Sequence, residues 1–371
     1  MQMLTKKIAN EIVRETSLRL QRNINIMNTE GIILSALDKS RVGAIHEGAL
    51  KVLETKKTLV IHAGQDLKGA QPGINLPIVF LDQIIGVIGI TGDPAELEDI
   101  GELVKMTTEL MIKQEFMDSQ MEWKQRTKET VVDQLLKSSP SFTAIQENLG
   151  LLGLNFEAPF TSVVVQISER TAANRTIIQQ VEDAMGQQRA LVSFINVNRL
   201  FIGLNGIAEK DIEAAIGKLY QLLKKLDIRF RMAYSLPFHD LYQFQQAYRD
   251  CVITLEISAN EKDCVSFADI EVKSLFYQVD TTVSERFAQR ILKNFDKAKA
   301  ETLDAFFANN QNIQQTADAL YLHRNTLIYR LKKIIDDTGR DPKNFEDALV
   351  LQVALWIFQK EQKERNSGSP S

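Results

Sequence analysis

The feature that most limits how this chain can fold is the stretch from Pro94 to about Leu136, which runs helical with no internal proline. Leu97, Ile100, Val104, Leu110, Met111, Met117, Trp123, Val131 and Leu135 supply apolar positions among many charges. A helix of about 40 residues far exceeds the usual globular length, so packing rather than propensity must support it. Two arrangements satisfy that demand. The stretch breaks into two helices that fold back on the preceding residues, or it forms one dimerising, signal-transmitting helix with imperfect heptads. Either way it divides the chain, and 371 residues at 44% hydrophobic content hold material for two or three domains.

Before the divide, residues 4–22 carry Leu4, Ile8, Ile12, Leu18 and Leu20 at roughly helical period. "NINIMNTEGIILSA" then reads strand, turn, strand, and "TLVIH" (58–62), "NLPIVF" (75–80) and "QIIGVIGITG" (83–92) read as further strands. Glycines 86, 89 and 92 in the last run suggest bulges or a close backbone approach. The pattern predicts an α+β sensor domain over 1–136, with the long helix at its end. "KSSPS" (137–141) marks a boundary. Beyond it, strands at 160–167, 190–196, 198–204 and 228–235, with helices near 208–226 and 239–258, predict an α/β domain over 140–281. An all-α domain follows over 282–365, and 366–371 read as a disordered tail.

Composition excludes several classes. The formal charge is −4 with 25% charged residues, as in ordinary globular proteins. No apolar run approaches the roughly 18 residues of a membrane span, and the start lacks a signal peptide's apolar core. A cytoplasmic protein without a membrane partner is expected. Cys251 and Cys264 have neither metal-site spacing nor a disulfide framework, and the histidines at 46, 62, 239 and 323 are scattered. No metal and no cofactor are expected. No G-x-S-x-G elbow, P-loop or dinucleotide fingerprint occurs. His239, Asp240 and Asp250 lie close in sequence but lack a nucleophile, so no enzyme is expected.

The mild acidity makes one segment stand out. Tyr321–Lys333 holds four Lys/Arg and no Asp/Glu. In "NIQQTADALYLHRNTLIYRLKKI" (312–334), Asn312 suits an N-cap, and Ile313, Ala317 and Leu320 form one buried stripe. Leu327, Leu331 and Ile334 form a second, and "YLH" between them fits only a tight turn. Small Ala317 lets the two helices cross closely. The pattern predicts a helix-turn-helix. Its second helix leaves Arg324, Asn325, Thr326, Tyr329, Arg330 and Lys333 outward. Arg can fork onto guanine, Asn onto adenine and Thr onto a thymine methyl, while the later cations suit phosphates. The alternative is a solvated basic face.

A second polar concentration lies in "SALDKSRVGAIHEGA" (35–49). Arg41 is a rigid fork for a carboxylate. Gly43 and Gly48 would let backbone approach a small ligand, and His46 can donate to an anion. Asn75 lies beside Pro77 in "GINLPI". These residues describe a carboxylate-sized pocket. They fit equally a surface pairing of Arg41 with Asp38 or Glu47, with His46 capping a helix.

Residues 309–340 resemble the C-terminal DNA-binding region of the PucR and sugar-diacid-regulator transcription factors, through "HRNT-x-x-YRL-x-x-I…TG" from His323 to Gly339. The resemblance implies major-groove binding to double-stranded DNA with His323, Arg324, Thr326 and Tyr329 facing bases. Likewise "D-x-x-R-x-G-x-x-H-E-G-A" (Asp38–Ala49), "NLPI" (75–78) and "IGVIGITG" (85–92) together resemble the recognition domain of carbohydrate diacid regulators. That likeness implies a small diacid effector such as glucarate, galactarate or glycerate, held by Arg41, His46 and Asn75 with Ser35, Asp38, Gly43, Gly89 and Ile90. Lys39, Lys68 or backbone amides are open for the far carboxylate. The middle domain resembles a degenerate GGDEF fold. Its matching hairpin, "FINVNRLFIGL", has Asn196, Asn198 and Arg199 near the turn where a working cyclase has glycines and carboxylates.

The expectation is therefore a DNA-binding activator of diacid catabolism, acting as a homodimer or higher oligomer. The competing readings are a PucR-like regulator of another small anion, a nucleotide-signalling protein built on the middle domain, and a nucleoid-type DNA protein without effector.

Overall fold

The computed structural model describes residues 4–65, 67–68, 70–258, 262–293 and 295–367, with side chains to residue 362. The chain divides into two compact units, residues 1–126 and 127–371.

The first unit opens with α1 (Lys6–Leu20), capped by the Thr5 hydroxyl. β1 (Ile24–Met27) and β2 (Ile33–Ala36) follow, then α2 (Glu47–Thr55), β3 (Leu59–Ile61), β4 (Gly73–Phe80) and β5 (Gln83–Thr91). The strands form one antiparallel sheet in the order β2-β1-β5-β4-β3. Alternation sorts the side chains between its faces. Ile24, Ile26, Ile74, Leu76, Ile78, Ile88 and Ile90 face one core, shared with α1. Met27, Ile33, Ala36 and Val87 face the other, shared with Ala49 and Val52 of α2.

α3 (Pro94–Leu135) is a single helix of 42 residues, so the two-helix alternative does not hold. Its Leu97, Val104 and Ile112 join the first unit's core, and its Val131, Val132 and Leu135 join a core of the second.

In the second unit, α4 (Phe142–Leu152) precedes β6 (Phe160–Glu169), α5 (Asn174–Met185), β7 (Ala190–Asn196) and β8 (Arg199–Asn205). Then come α6 (Ile212–Lys225), β9 (Arg229–Tyr234), α7 (Phe244–Ile257), β10 (Cys264–Ser266) and α8 (Glu271–Tyr277). The sheet order is β10-β9-β6-β8-β7, with only the β9–β10 pair parallel. α5 and α6 cover one face, α4 and α7 the other. The helical remainder is α9 (Thr281–Ile291), α10 (Lys297–Ala308), α11 (Ile313–Ala319), α12 (Arg324–Thr338) and α13 (Phe345–Ser367). Most of the expected disordered tail, residues 368–371, lies outside the described residues. Among the described residues no helix is long and apolar enough to cross a membrane.

The glycines of β5 mark close approaches, as the sequence suggests. At Gly86, next to the register shift between Ile78 and Val79, a methyl would lie 2.4 Å from the Met27 carbonyl oxygen of β1. The obstacle is backbone inside a ladder and cannot swing aside. Gly86→Ala should therefore lower stability by roughly 1–3 kcal/mol, measured as a lower urea midpoint at unchanged slope; an unchanged midpoint would mean that β1 and β5 can separate locally at no cost.

Candidate functional site

The polar cluster of the first unit forms where α2 starts above the sheet. The segment leading into it is stitched along β2. Gly43 N–H donates to the Ile33 carbonyl at 2.9 Å, Ile33 N–H to Ala44 at 3.0 Å, and His46 N–H to Gly31 at 2.9 Å. Gly43, at φ +91°, turns the chain in open space, a conformation costly for any side chain. These bonds deliver His46 to the N-cap of α2, where its Nδ1 accepts from Ala49 N–H at 3.2 Å. A ring accepting at Nδ1 carries its proton on Nε2 when neutral. Burial first, and the Arg41 charge second, lower its pKa to about 4. His46 is therefore a neutral donor near neutral pH.

Beneath it, Asn75 of β4 pairs with Gly89 of β5, and Gly89 pairs with Asn25 of β1. The three occupy one row on the α2 face. Absent side chains make the row possible. A methyl at Gly89 would come within 2.6 Å of Asn75 Oδ1. One at Gly48 would come within 3.1 Å of both Asn75 Nδ2 and His46 Cε1. Ring and amide thus share one small space. Asn25, Asn75 and His46 are each at most 3% exposed, and Asn25 Oδ1 accepts no hydrogen bond among the described residues. A buried oxygen of this kind calls for a donor, and the described residues supply none.

The structure brings only part of the expected set together. His46, Asn75, Gly48 and Gly89 converge, with half-buried Arg41 close enough to act on the His46 charge. Asp38 is exposed and caps the short turn Lys39–Arg41. Its Oδ1 accepts from Ser40 Oγ at 2.7 Å and Ser40 N–H at 3.0 Å, and these bonds, ahead of Arg41, lower its pKa. Ser35 and Ile90 are corrections to the expected set. Ile90 is buried in the core on the opposite face, and Ser35 pairs with Ile26, which belongs to that same core. The β1–β2 register shift turns Ser35 away: Met27 pairs with Ile33 and Ile26 with Ser35, leaving Leu34 as the extra residue. Asn25 was missed, because between Ile24 and Ile26 it reads as an ordinary strand residue. Lys68 is tied through its backbone: Glu47 Oε2 accepts from Lys68 N–H at 2.8 Å, and Glu47 N–H donates to its carbonyl at 3.2 Å.

In the helical region the expected helix-turn-helix is present. Asn312 caps α11 through Gln315 N–H, and Tyr321, at φ +54°, makes the tight turn. His323 caps α12, its Nδ1 accepting from Asn325 N–H at 3.3 Å, and Gly339 closes the helix in the left-handed region. Ala317, Leu327, Leu331 and Ile334 are buried. His323, Arg324, Asn325, Thr326, Tyr329 and Lys333 are exposed on one helix start and face. Arg330 is drawn inward: it is half-buried and donates from a guanidinium nitrogen to Thr302 Oγ1 of α10 at 3.3 Å. It braces α12 against α10, as does the Lys299–Asp337 ion pair at 2.8 Å.

At the β7–β8 hairpin, Asn196 Oδ1 accepts from Asn198 N–H at 3.0 Å. Arg199 donates to Gln166 Oε1 at 3.0 Å and to the Tyr248 hydroxyl at 3.3 Å. The turn thus offers amides and an engaged guanidinium, not the carboxylates that hold metal in a cyclase. Among the described residues no cluster of His, Cys, Asp or Glu is arranged to hold a metal ion.

Known proteins match this layout. Residues 4–135 match the sugar diacid recognition family, 137–257 the GGDEF-like domain, and 300–357 the PucR C-terminal helix-turn-helix domain. The chain is 30% identical to the carbohydrate diacid regulator of Escherichia coli (strain K12), over 96% of this chain and 98% of that one. It is 27% identical to the uncharacterized protein YsfB of Bacillus subtilis (strain 168), over 96% and 98%. A shorter match, 38% over 60 residues, is to the purine catabolism regulatory protein of Bacillus subtilis, covering 16% of this chain and 11% of that one.

The buried histidine makes stability depend on pH. Its pKa in the fold, about 4, lies below the ordinary 6.5, so its contribution is complete above pH 6.5 and lost as pH falls toward 4. Between pH 6 and 5 the loss should be about 1 kcal/mol per pH unit. His46→Asn keeps a capping side chain without the titration. Hydrogen exchange over residues 24–91 should show the wild type weakening faster than the variant, and parallel curves would mean that the ring protonates without cost.

Proposed function

The chain belongs to the carbohydrate diacid regulator family, and from that premise we propose that it activates genes for catabolism of a sugar diacid, with the diacid as its effector. Glucarate, galactarate and glycerate are the candidate ligands. The chain is a transcriptional regulator with a helix-turn-helix, as its family is. The observation that carries the diacid reading is the buried convergence of His46 and Asn75 over Gly48 and Gly89, beside Arg41.

On this reading each group has a task fitted to a hydroxylated dianion. Arg41 supplies the charge and the fork for one carboxylate. His46 donates from Nε2 and Asn75 from its amide. Asn25 Oδ1, unmatched in the fold, accepts from a ligand hydroxyl. Gly89 serves by lacking a side chain, while Asp38 and Gly43 shape the segment that carries Arg41 and His46. Such a site separates a hydroxy diacid from a plain one, because a ligand lacking the hydroxyl leaves Asn25 unpaired.

DNA reading falls to His323, Arg324, Asn325, Thr326 and Tyr329, with Lys333 on phosphate and Arg330 mainly a brace. The protein works in the cytoplasm, where its operator is. The middle domain relays and supports; no catalytic step is assigned to it. The effector can shift the DNA-binding state only by its differential affinity for two arrangements of the chain.

Thermal unfolding of the full chain against glucarate, galactarate, glycerate, allantoate and a neutral sugar alcohol tests the sensor. A diacid at 100 times its Kd should stabilise by about 2.7 kcal/mol, and the gain should vanish in Arg41→Ala; no response to any acid would overturn the effector assignment. On DNA, Arg324→Ala should lose roughly 1–3 kcal/mol on the specific operator and little on random sequence. Equal loss on both would move Arg324 from base to phosphate.

A further inference from the structure

α3 has two apolar faces. Leu97, Val104 and Ile112 are buried in the first unit's core, and Gly101 and Thr108 lie on that same side. Leu103, Met106, Leu110 and Met117 are instead exposed, at 57%, 51%, 57% and 44%. At about 100° per residue these four fall within about 60° of one another, roughly opposite the buried row. Single exposed apolar residues need no explanation. A narrow row of four large ones, on the side of the helix that its own sheet does not use, does need one.

We propose that this row is a homodimer seam, covered by a second copy of the chain lying parallel and in register. Leu103, Leu110 and Met117 recur every seven residues, the period that keeps two winding helices in contact. Met106 fills the intervening position. Lys113 takes the next one, where its stem covers apolar surface while the ammonium reaches water. Layer matching selects the parallel orientation. In that orientation each of the four apolar residues meets its own copy; Lys113 does so too, and its long stem lets the two ammonium groups diverge into water. Antiparallel pairing about the same row sets Leu103 against Lys113 and Met117 against Asp99, so only Met106 and Leu110 keep an apolar partner. The inference does not depend on which ligand the first unit takes.

The test uses the full chain with Cys264→Ser, since Cys251 is buried in a core and Cys264 is half-buried. Leu103→Cys, Leu110→Cys and Met117→Cys are each oxidised mildly and run without reductant. Each should give a covalent dimer, because a disulfide needs Cα atoms within about 7 Å. Glu115→Cys, on the side of the helix facing Lys7, should not. Leu110→Lys should sediment as a monomer with its helical circular dichroism retained. A wild-type monomer at tens of micromolar, or a dimer that survives Leu110→Lys, overturns the seam. Cross-links that form only between Leu103→Cys and Lys113→Cys chains overturn the parallel register. The cross-links remain decisive even if Leu110→Lys fails to fold.

Discussion

One helix serving two cores is the constraint on which the rest of this molecule depends. Free in water, a helix of 42 residues with so many charges would fray. α3 is held because Leu97, Val104 and Ile112 are buried with the first sheet and Val131, Val132 and Leu135 with the second. Each hydrophobic anchor fixes a few turns, and hydrogen bonding carries the order between them. α3 thus contributes side chains to a core of each unit, and packed cores respond by discrete rearrangement rather than by yielding.

The same economy of packing builds the polar cluster. Two asparagines and a histidine can be buried together only where neighbouring positions give up their side chains. Gly48 and Gly89 do so. The sheet then sorts the surroundings: isoleucines and leucines go to the α1 face, and the polar row goes to the α2 face. A single methyl at Gly89 would collide with the Asn75 oxygen, so the conformation of the amide and the absence of a side chain are one requirement.

Much of this was legible in the sequence. Apolar runs bounded by turn residues located β4–β9 to within a residue or two, because strands covered on both faces are apolar almost throughout. The helix-turn-helix was legible because a second apolar stripe restarts after "YLH", and Tyr321 and His323 turn and cap as that spacing demands. β10 was not, since three residues pairing parallel at a sheet edge carry no period of their own. In the N-terminal segment the sequence allowed either a capping His46 or a ligand-facing one. The fold shows the cap, with Nδ1 as its acceptor, and the proposed effector contact therefore falls to Nε2. Ser35 and Ile90 face the α1 side because facing is a matter of parity: Ile90 follows Gly89 along β5, and the extra residue at Leu34 inverts parity along β2. Arg330 looked outward by helical period, but its long side chain folds back to Thr302.

On the proposed reading, His46 both caps α2 and meets the ligand, and the two tasks constrain each other. Its Nδ1 must stay unprotonated to accept from Ala49 N–H, so an anion that forced a second proton onto the ring would undo the cap it sits beside. A carboxylate shared with the Arg41 guanidinium is a different case, because the guanidinium offsets the negative charge that would otherwise favour the imidazolium. It leaves the neutral tautomer in place and adds a partner to a ring already fixed at the start of α2. Because Arg41 and burial together disfavour the imidazolium, the site can supply positive charge from the guanidinium while the ring remains a neutral donor. Charge and orientation are thereby assigned to different residues. On the proposed reading, removing Arg41 should abolish affinity while leaving α2 capped, whereas removing His46 should loosen α2 even when no ligand is present.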